Sequence, residues 1–204
     1  MQALATDLRT GLPLIFSLFD RDARRRLMAG HGAWNLAAER IREERIPRSA
    51  DLLQRATRMD FGNYLAEDIL VKVDRASMLN SLEVRAPLLD YRLIEFAYGK
   101  VPSRLKATAH GRKLLLKNLA QRVLPPEFDL ERKQGFSIPL AAWLRSGPWK
   151  AFFRETLLGS DSSLFERKEL EKLLAGQEQG RANSEHLFAL VLIELWRREY
   201  QVSM

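Results

Sequence analysis

Apolar residues recur with the 3.6-residue period of an α-helix along most of the chain, whereas strict alternation of apolar and polar residues is hard to find. We therefore predict a mainly α chain. Glycine, proline and capping residues between the periodic stretches set the expected helix ends. The predicted helices cover residues 3–10, 12–18, 20–28, 34–44, 51–58, 64–81, 91–98, 112–123, 138–145, 148–158, 166–175 and 184–200.

The predicted helix 64–81 carries one mostly apolar stripe, and its Asp68 is spaced to pair with Lys72 one turn later. Pro87 disfavours helical geometry at the residue before it, so residues 82–89 are expected to form a connector or a short extended piece. Asp90 then stands where the N-cap of the next helix belongs. The stripe consists of Leu65, Ile69, Val73, Ala76 and Asn80.

The last predicted helix is apolar nearly all round between Leu187 and Leu195, which predicts a central, buried element. Glu194 interrupts that run. Because buried charges in proteins are paired, the favoured interpretation is a partly exposed or hydrogen-bonded carboxylate near the helix end. Asn183 is expected to cap this helix, and Ser137 the helix that ends at residue 145.

Composition places the chain among soluble globular proteins, with 46% hydrophobic and 29% charged residues in 204 positions. It contains no cysteine, which excludes disulfides, cysteine-ligated metals and a cysteine nucleophile within this chain. The net charge is +7, but most basic residues alternate with acidic ones, as on a solvated helix face. We therefore expect no nucleic-acid partner.

Neither of the longest apolar runs, 187–193 and 12–16, approaches the roughly 20 residues of a membrane-spanning helix. The first residues also lack the pattern of a signal peptide. We expect no membrane partner and a cytoplasmic location.

Chemistry is more promising in residues 67–90, which hold eight ionisable groups in 24 positions. A set of surface ion pairs would explain the same density, and both interpretations stay open. Metal-ligand spacing is absent, because the three histidines are far apart in sequence, so no metal site is expected in this chain. The eight groups are Glu67, Asp68, Lys72, Asp74, Arg75, Glu83, Arg85 and Asp90.

A second candidate is the aperiodic stretch 132–136, Arg-Lys-Gln-Gly-Phe. Gly135 allows a close backbone approach and an unusual dihedral angle, and Lys133 presents a compact charge that suits a phosphate or a developing oxyanion. A solvated loop lysine is the alternative.

Two stretches together resemble one known family. Residues 64–90, YLAEDILVKVDRASMLNSLEVRAPLLD, resemble the C-terminal half of the synthetase domain of glutamine-hydrolysing asparagine synthetases. Residues 132–139, RKQGFSIP, followed by Trp-Leu-Arg at 143–145, resemble the family's next motif in the same order. The combination is highly specific, and the resemblance extends over about residues 51–200.

The fold that the resemblance implies is the helical C-terminal portion of an adenine-nucleotide-hydrolase-like α/β synthetase domain, with the parallel sheet and ATP loop upstream. We expect one helical domain over residues 1–204, in which 1–50 are a weakly matched lead-in. The family's Ser-Gly-Gly-x-Asp-Ser loop is absent from the chain. We therefore expect a piece of a longer amidotransferase, inactive alone, either excised or encoded as a short remnant.

Family members use ATP and Mg²⁺ to adenylate the side-chain carboxylate of aspartate. Ammonia, released from glutamine by an N-terminal glutaminase domain, then displaces AMP to give asparagine. The resemblance implies the same cofactors and partners here, with ATP and Mg²⁺ bound mainly by the upstream part.

By the same resemblance, Glu83 matches an acidic residue that acts on the proton of the incoming nitrogen. Lys133 matches a lysine that neutralises phosphate charge as pyrophosphate leaves. Asp74 and Arg75 match an Asp-Arg pair beside the site.

Four further residues complete the implied neighbourhood. Arg132 and Gly135 belong to it because they flank the lysine in its motif. Arg85 and Asp90 are expected to hold the connector rather than to contact substrate.

Two alternatives remain open from the sequence. Relatives of this family adenylate other carboxylates, including peptides and cell-surface or exopolysaccharide intermediates, so the acceptor is not defined. A non-catalytic basic helical module that binds another protein is the interpretation from a different class. Apolar surface left uncovered by the upstream sheet predicts self-association or poor solubility, and a homodimer is one form it could take.

Overall fold

The computed structural model describes residues 17–28, 37–46, 51–132, 135, 138–159 and 164–202. These residues are mainly helical, as predicted. The predicted helix 3–10 and most of 12–18 lie outside the described residues. The described residues within 38–134 form one compact unit (unit 1), and the described residues within 14–37 and 135–204 form another (unit 2). The single domain over 1–204 stays a prediction.

Helices make up nearly all the elements of both units. In chain order, the α-helices are α1 (Arg21–Leu27), α2 (Ala37–Glu44), α3 (Leu52–Asp60), α4 (Leu70–Met78), α5 (Tyr91–Gly99), α6 (Ser103–Lys106), α7 (Leu114–Val123), α8 (Leu140–Trp143), α9 (Pro148–Leu158), α10 (Arg167–Glu178) and α11 (Ser184–Glu199). The remaining elements are a π-helix (Phe61–Ile69), a 3-10 turn (Pro87–Leu89) and an antiparallel hairpin of β1 (Ala107–Thr108) and β2 (Gly111–Arg112).

Unit 1 is organised around one unbroken helical rod from residue 52 to 78, made of α3, the π-helix and α4. Asp51 starts the rod, because its side chain accepts a hydrogen bond from the Gln54 N–H at 2.9 Å. The sequence predicts two separate helices here. In the structure the two helices are joined. Gly62 is a weak helix former, but it lies within the π-helix, whose backbone hydrogen bonds continue past it without a break.

The π-helix is held at the end of α2 mainly by the side chain of Arg45. Arg45 donates from Nη1 to the Gly62 carbonyl at 2.9 Å, to Asn63 Oδ1 at 3.3 Å and to Glu67 Oε1 at 3.0 Å. Asn63 is buried and donates in turn to the Met59 carbonyl at 2.8 Å. These bonds satisfy polar groups that the π-helix would otherwise leave without a partner.

A second set of contacts ties α3 to α5 and α6. The Tyr98 hydroxyl donates to the Thr57 carbonyl at 2.9 Å, and Ser103 donates to the Asp51 carboxylate at 2.7 Å. Lys106 lies over the Tyr98 ring, 4.9 Å from its centre. Burial raises the pKa of Tyr98, so this phenol remains a donor at neutral pH.

The β1–β2 hairpin is an element that the sequence pattern does not predict. Its strands are two residues long, too short to show an alternating pattern. Because β2 takes Gly111 and Arg112, and Lys113 adopts a left-handed φ of 58°, α7 begins at Leu114 instead of the predicted 112. The apolar residues of α7 are exposed in this structure, and self-association stays a prediction. They are Leu115, Leu116, Leu119 and Val123.

Unit 2 has a continuous hydrophobic core. Helices α9, α10 and α11 pack on one another, with Leu157, Leu170, Leu187 and Leu190 almost wholly buried between them. Leu27 of α1 joins the same core. The bounds of α9 are those predicted from the sequence.

Burial of α11 is one-sided, so the prediction of an element buried all round is wrong. Leu187, Leu190, Val191 and Glu194 are buried, whereas Leu192, Ile193 and Leu195 are exposed. The neighbouring helices of unit 2 cover one face only, and periodicity cannot say how many neighbours a helix has.

Glu194 is hydrogen-bonded, as expected, but it is 1% exposed and so not partly exposed. It accepts from Arg197 at 2.9 and 3.1 Å and from Arg198 at 2.8 Å. Arg198 also donates to the Thr156 carbonyl, which links α11 to α9. Burial by itself would raise the pKa of Glu194, but the hydrogen bonds and charges of the two arginines outweigh it and hold the pKa below its usual value.

Asn183 occupies the N-cap position of α11, but its side chain makes no capping hydrogen bond. Its Nδ2 donates instead to the Leu173 carbonyl at 2.9 Å. Ser137, the other predicted cap, lies outside the described residues, and α8 begins after Pro139.

Replacement of Glu194 by glutamine is expected to destabilise unit 2 by about 1.5–3 kcal/mol, because the three hydrogen bonds that its charged carboxylate accepts from Arg197 and Arg198 are weakened. Since the folded-state pKa of Glu194 is depressed, its contribution is complete above the ordinary value of 4.5 and is lost as the pH falls through the folded value. Urea unfolding between pH 3 and pH 7 measures both effects. Exposed Glu199 on the same helix supplies the control, E199Q, and equal effects of the two substitutions would contradict this account.

Candidate functional site

The connector 82–90 takes the form that its proline dictates. Ala86 is held outside the helical region, at φ −114° and ψ 89°, and Pro87 opens a 3-10 turn. Asp90 ends the turn and caps α5, because its Oδ1 accepts from the Arg92 N–H at 2.9 Å. The predicted connector and the predicted cap are both confirmed.

A cavity of about 760 Å³ lies between α4 and the connector. Asp74, Arg85 and Asp90 bring charged groups to its lining. A mostly apolar hollow with a few convergent polar groups is typical of small-molecule sites. The apolar part of the lining is formed by Leu70, Val73, Val84, Ala86, Pro87 and Leu89.

Asp90 is the best-anchored charge of the cavity. Arg92 donates to it from Nε at 3.0 Å and from Nη2 at 2.7 Å. The Arg92 side chain first, and the Arg92 N–H second, hold the pKa of Asp90 below its usual value. Asp90 therefore presents a fixed negative charge at neutral pH.

Glu83 reaches the cavity through its neighbour. Arg85, which lines the cavity, donates from Nη2 to Glu83 Oε1. Both side chains are largely exposed, at 71% for Glu83 and 81% for Arg85. Glu83 thus lies beside the cavity, with one oxygen held by the arginine and the rest of the carboxylate open to solvent.

Arg75 is exposed and does not line the cavity, although its neighbour Asp74 does. Adjacent helical residues point in different directions, so this placement is the expected one. The structure therefore brings together Asp74, Arg85 and Asp90, with Glu83 next to them.

Ion pairs account for the other charges of residues 67–90. Glu67 pairs with Arg45 at 3.0 Å and with Arg42 at 3.8 Å, and Asp68 pairs with Lys72 at 3.9 Å as predicted. Exposed pairs of this kind contribute about 0–1 kcal/mol each. Surface ion pairs thus account for the charged residues at the start of the segment 67–90, whereas most of those at its end line the cavity.

The second candidate stretch is described in part. Lys133 lies outside the described residues. The Arg132 N–H donates to Asp129 Oδ1 at 3.1 Å, which turns the chain before it. Gly135 does not have a positive φ, and a methyl group there would meet nothing within 4 Å. Open space at Gly135 is compatible with a close approach of a ligand, and the role of this glycine stays a prediction.

Two features of the site go beyond what the sequence pattern predicts, the apolar wall of the cavity and the role of Arg45. Val73 lies on the predicted helical stripe next to Asp74, and that adjacency is a usable signal for the wall. Arg45 carries no such signal, because its partners are 17 to 22 residues away in sequence.

Metal-binding clusters and membrane-spanning helices are both absent from the described ranges 17–28, 37–46, 51–132, 135, 138–159 and 164–202. No group of three or more His, Asp or Glu residues there is arranged to hold a metal ion. No helix there has the length and apolar character needed to cross a bilayer.

Comparison with known proteins gives one consistent family. The family model described as asparagine synthase matches residues 4–198. Asparagine synthetase (glutamine-hydrolyzing) 1 of Bacillus subtilis (strain 168) is 29% identical over 140 residues, which are 68% of this chain and 22% of that protein. No solved structure gives a significant match.

Two further relatives agree. A Mycobacterium bovis protein provisionally named as a glutamine-hydrolyzing asparagine synthetase is 29% identical over 148 residues, 72% of this chain and 22% of its own length. Asparagine synthetase (glutamine-hydrolyzing) 3 of Bacillus subtilis is 28% identical over 109 residues, 52% of this chain and 18% of that protein. The chain thus spans about a fifth of the length of the curated relatives it matches.

The cap at Asp90 can be separated from its charge. Replacement by alanine removes both, whereas asparagine keeps a good capping side chain. We expect amide exchange at the start of α5 to accelerate in D90A and to stay near the wild-type rate in D90N, measured by hydrogen exchange. Equal acceleration in both variants would show that the ion pair with Arg92, not the cap, orders this end of the connector.

Proposed function

Because the chain belongs to the asparagine synthase family, we propose that it supplies the C-terminal helical part of the synthetase domain of an ATP-dependent, glutamine-hydrolysing amidotransferase. The observation that carries the proposal is the family match over residues 4–198, which includes both motifs. The names of the relatives support the glutamine-hydrolysing part.

The proposed reaction has two steps. An oxygen of the aspartate side-chain carboxylate attacks the α-phosphorus of ATP, and the bond to pyrophosphate breaks. Ammonia then attacks the acyl carbon, AMP leaves with the bonding electron pair, and a proton is removed from the nitrogen. The products are asparagine, AMP and pyrophosphate.

In this proposal the cavity beside the connector receives the acyl part of the reactants. Arg85 and Asp90 hold the connector that forms one wall of this cavity, Arg85 by its bond to Glu83 and Asp90 by capping α5. Leu70 and Val84 in the lining are open to solvent, so exclusion of the water that would hydrolyse an activated acyl group is proposed to come from segments that the longer relatives contain.

Glu83 is proposed to take the proton that the attacking nitrogen loses. Its position beside the cavity, with one oxygen held by Arg85, supports this role because a general base must be oriented as well as charged. Asp74 and Arg75 remain neighbours of the site in this proposal, without an assigned step.

Lys133 is proposed to balance the charge that develops on the phosphates as pyrophosphate leaves. A cation that meets this charge in the transition state contributes more to rate than to ATP binding. The proposal rests on the motif that surrounds Lys133, with Arg132 before it and Gly135 after it.

No magnesium ion is assigned to the described part of this chain. No cluster of three acidic or histidine side chains is found there, so no step is assigned to a magnesium ion held by these residues. ATP and Mg²⁺ are proposed to be held mainly by segments that the longer relatives contain.

We further propose that the chain alone does not make asparagine. It has neither the Ser-Gly-Gly-x-Asp-Ser loop nor a cysteine that could release ammonia from glutamine.

A fusion protein tests the proposal. In it, this chain is joined to the segments of the Bacillus subtilis relative that lie outside the matched region. The fusion should release pyrophosphate from ATP when aspartate is added. If it releases pyrophosphate only with another carboxylic acid, that acid is the acceptor instead of aspartate. A folded fusion inactive with every carboxylate tested would favour the binding module.

In the fusion, replacement of Glu83 by glutamine should lower asparagine formation by about a hundredfold or more, because the general base is lost. Glutaminase activity should persist. Exposed Glu95 on α5 provides the charge-matched control, E95Q, which should keep normal activity. Normal asparagine production by E83Q would remove Glu83 from the site.

Replacement of Lys133 by alanine should lower aspartate-dependent pyrophosphate release by about a hundredfold, with a much smaller change in ATP affinity. Single-turnover kinetics and equilibrium ATP binding give the two quantities. Lys100, which is exposed, supplies the control K100A. Equal losses of rate and affinity in K133A would make Lys133 a binding residue only.

A further inference from the structure

Unit 2 contains a cavity that the proposed reaction does not use. Its volume is about 200 Å³, and it lies among α1, α10 and the first turn of α11. Three cations and one carboxylate reach its lining, which leaves a net charge of +2 with the histidine neutral. The side chains that define it are Phe19, Arg26, Glu169, Lys172, Arg181 and His186.

The single carboxylate does not neutralise this cavity. Arg26 Nε is 3.7 Å and Lys172 Nζ is 3.9 Å from the oxygens of Glu169. Neither distance is a hydrogen bond, so Glu169 attracts both cations without consuming their N–H groups. Arg26 is 54% and Lys172 63% exposed, so both side chains are able to turn toward a bound anion.

His186 adds an unusual feature on the wall of the same cavity. Its Nδ1 is shielded from solvent and has no hydrogen-bond partner within the part of the chain that the structure describes. The Phe19 ring packs edge-on against the imidazole, with ring centres 4.7 Å apart, and restricts its rotation. Because this atom is shielded from solvent, an anion in the cavity does not reach it, and the imidazole serves as part of the cavity wall.

The loop before α11 places Arg181 at the edge of the cavity. Gly180 takes a φ of 85°, and the Asn183 N–H donates to Gln177 Oε1 at 3.0 Å. The loop lies so close to α10 that a methyl group on Gly176 would be 2.7 Å from Asn183 Nδ2. Gly176 therefore permits the approach that brings Arg181 and the first turn of α11 to the cavity.

We propose that this cavity binds a small oxyanion of the phosphate class, either free phosphate or the phosphate group of a small ester. A doubly charged anion matches the net charge of the lining, and arginine and lysine N–H groups form strong, charge-assisted hydrogen bonds to its oxygens. The positive end of the α11 dipole, where Asn183 makes no capping bond, adds to the attraction. At about 200 Å³, the cavity has room for a phosphate group and for a small ester of it.

Titration of the full chain with inorganic phosphate at constant ionic strength, followed by calorimetry, tests the proposal. Lys172 lines the cavity and Lys168, also on α10, does not, so K172Q and K168Q make a matched pair with the same charge change. We expect K172Q to weaken phosphate binding about tenfold and K168Q by less than about twofold. Circular dichroism checks that each variant is folded.

Glycerol phosphate in a parallel titration separates the two sources, since binding of the ester but not of free phosphate assigns the site to phosphorylated small molecules. Acetate, a singly charged oxyanion, should bind at least about tenfold more weakly than phosphate. The proposal is overturned if neither phosphate nor the ester binds, if acetate binds as well as they do, or if K168Q and K172Q lose affinity equally.

Discussion

The nine-residue π-helix in the middle of the long rod is the constraint on which the geometry of unit 1 depends. Its i→i+5 bonds widen the helix and change the direction of every side chain that follows, including Asp74 on α4. Arg45 holds this segment at three acceptors, on Gly62, Asn63 and Glu67. A return to α-helical bonding would break these contacts of Arg45 and shift α4 and the connector together relative to α3.

The other wall of the cavity, the connector, is held by a proline and a helix cap rather than by a large hydrophobic core. Pro87 holds the connector outside the helical region, and Asp90 stops it by capping α5. Among the described residues of unit 1, the buried hydrophobic side chains are few, namely Ile46, Met59 and Val101. Unit 2 instead has eleven buried apolar residues in one cluster. The described part of unit 1 is therefore ordered more by local hydrogen bonds and the proline than by hydrophobic burial.

Much of this architecture is predictable from the sequence because it is local. Helix periods, the proline before the connector, the cap at Asp90 and the pair of Asp68 with Lys72 each depend on residues within one or two turns. The π-helix, the short hairpin and the one-sided burial of α11 are not predictable, because each depends on contacts between distant segments or on strands too short to carry a pattern. The same holds for the cavity, whose charged residues come from α4 and from the connector.

Of the candidate site, the motif residues 74–90 are identifiable from the sequence, and the structure adds that Asp74, Arg85 and Asp90 share one cavity. The roles proposed for Glu83 and Lys133 come from the family resemblance. The hydrogen bond between Glu83 and Arg85 supports the role of Glu83. Spacing cannot reveal the basic cavity of unit 2, since its cations come from helices about 140 residues apart in sequence, as Arg26 and Lys172 show.

The most direct test of the central claim follows oxygen atoms in the fusion enzyme. Aspartate whose side-chain carboxylate carries a heavy oxygen isotope is converted to asparagine, and AMP is analysed by mass spectrometry. Carboxylate adenylation predicts one heavy oxygen in each AMP formed, because the attacking oxygen leaves with the phosphorus. Label found in inorganic phosphate or pyrophosphate, with none in AMP, would contradict it.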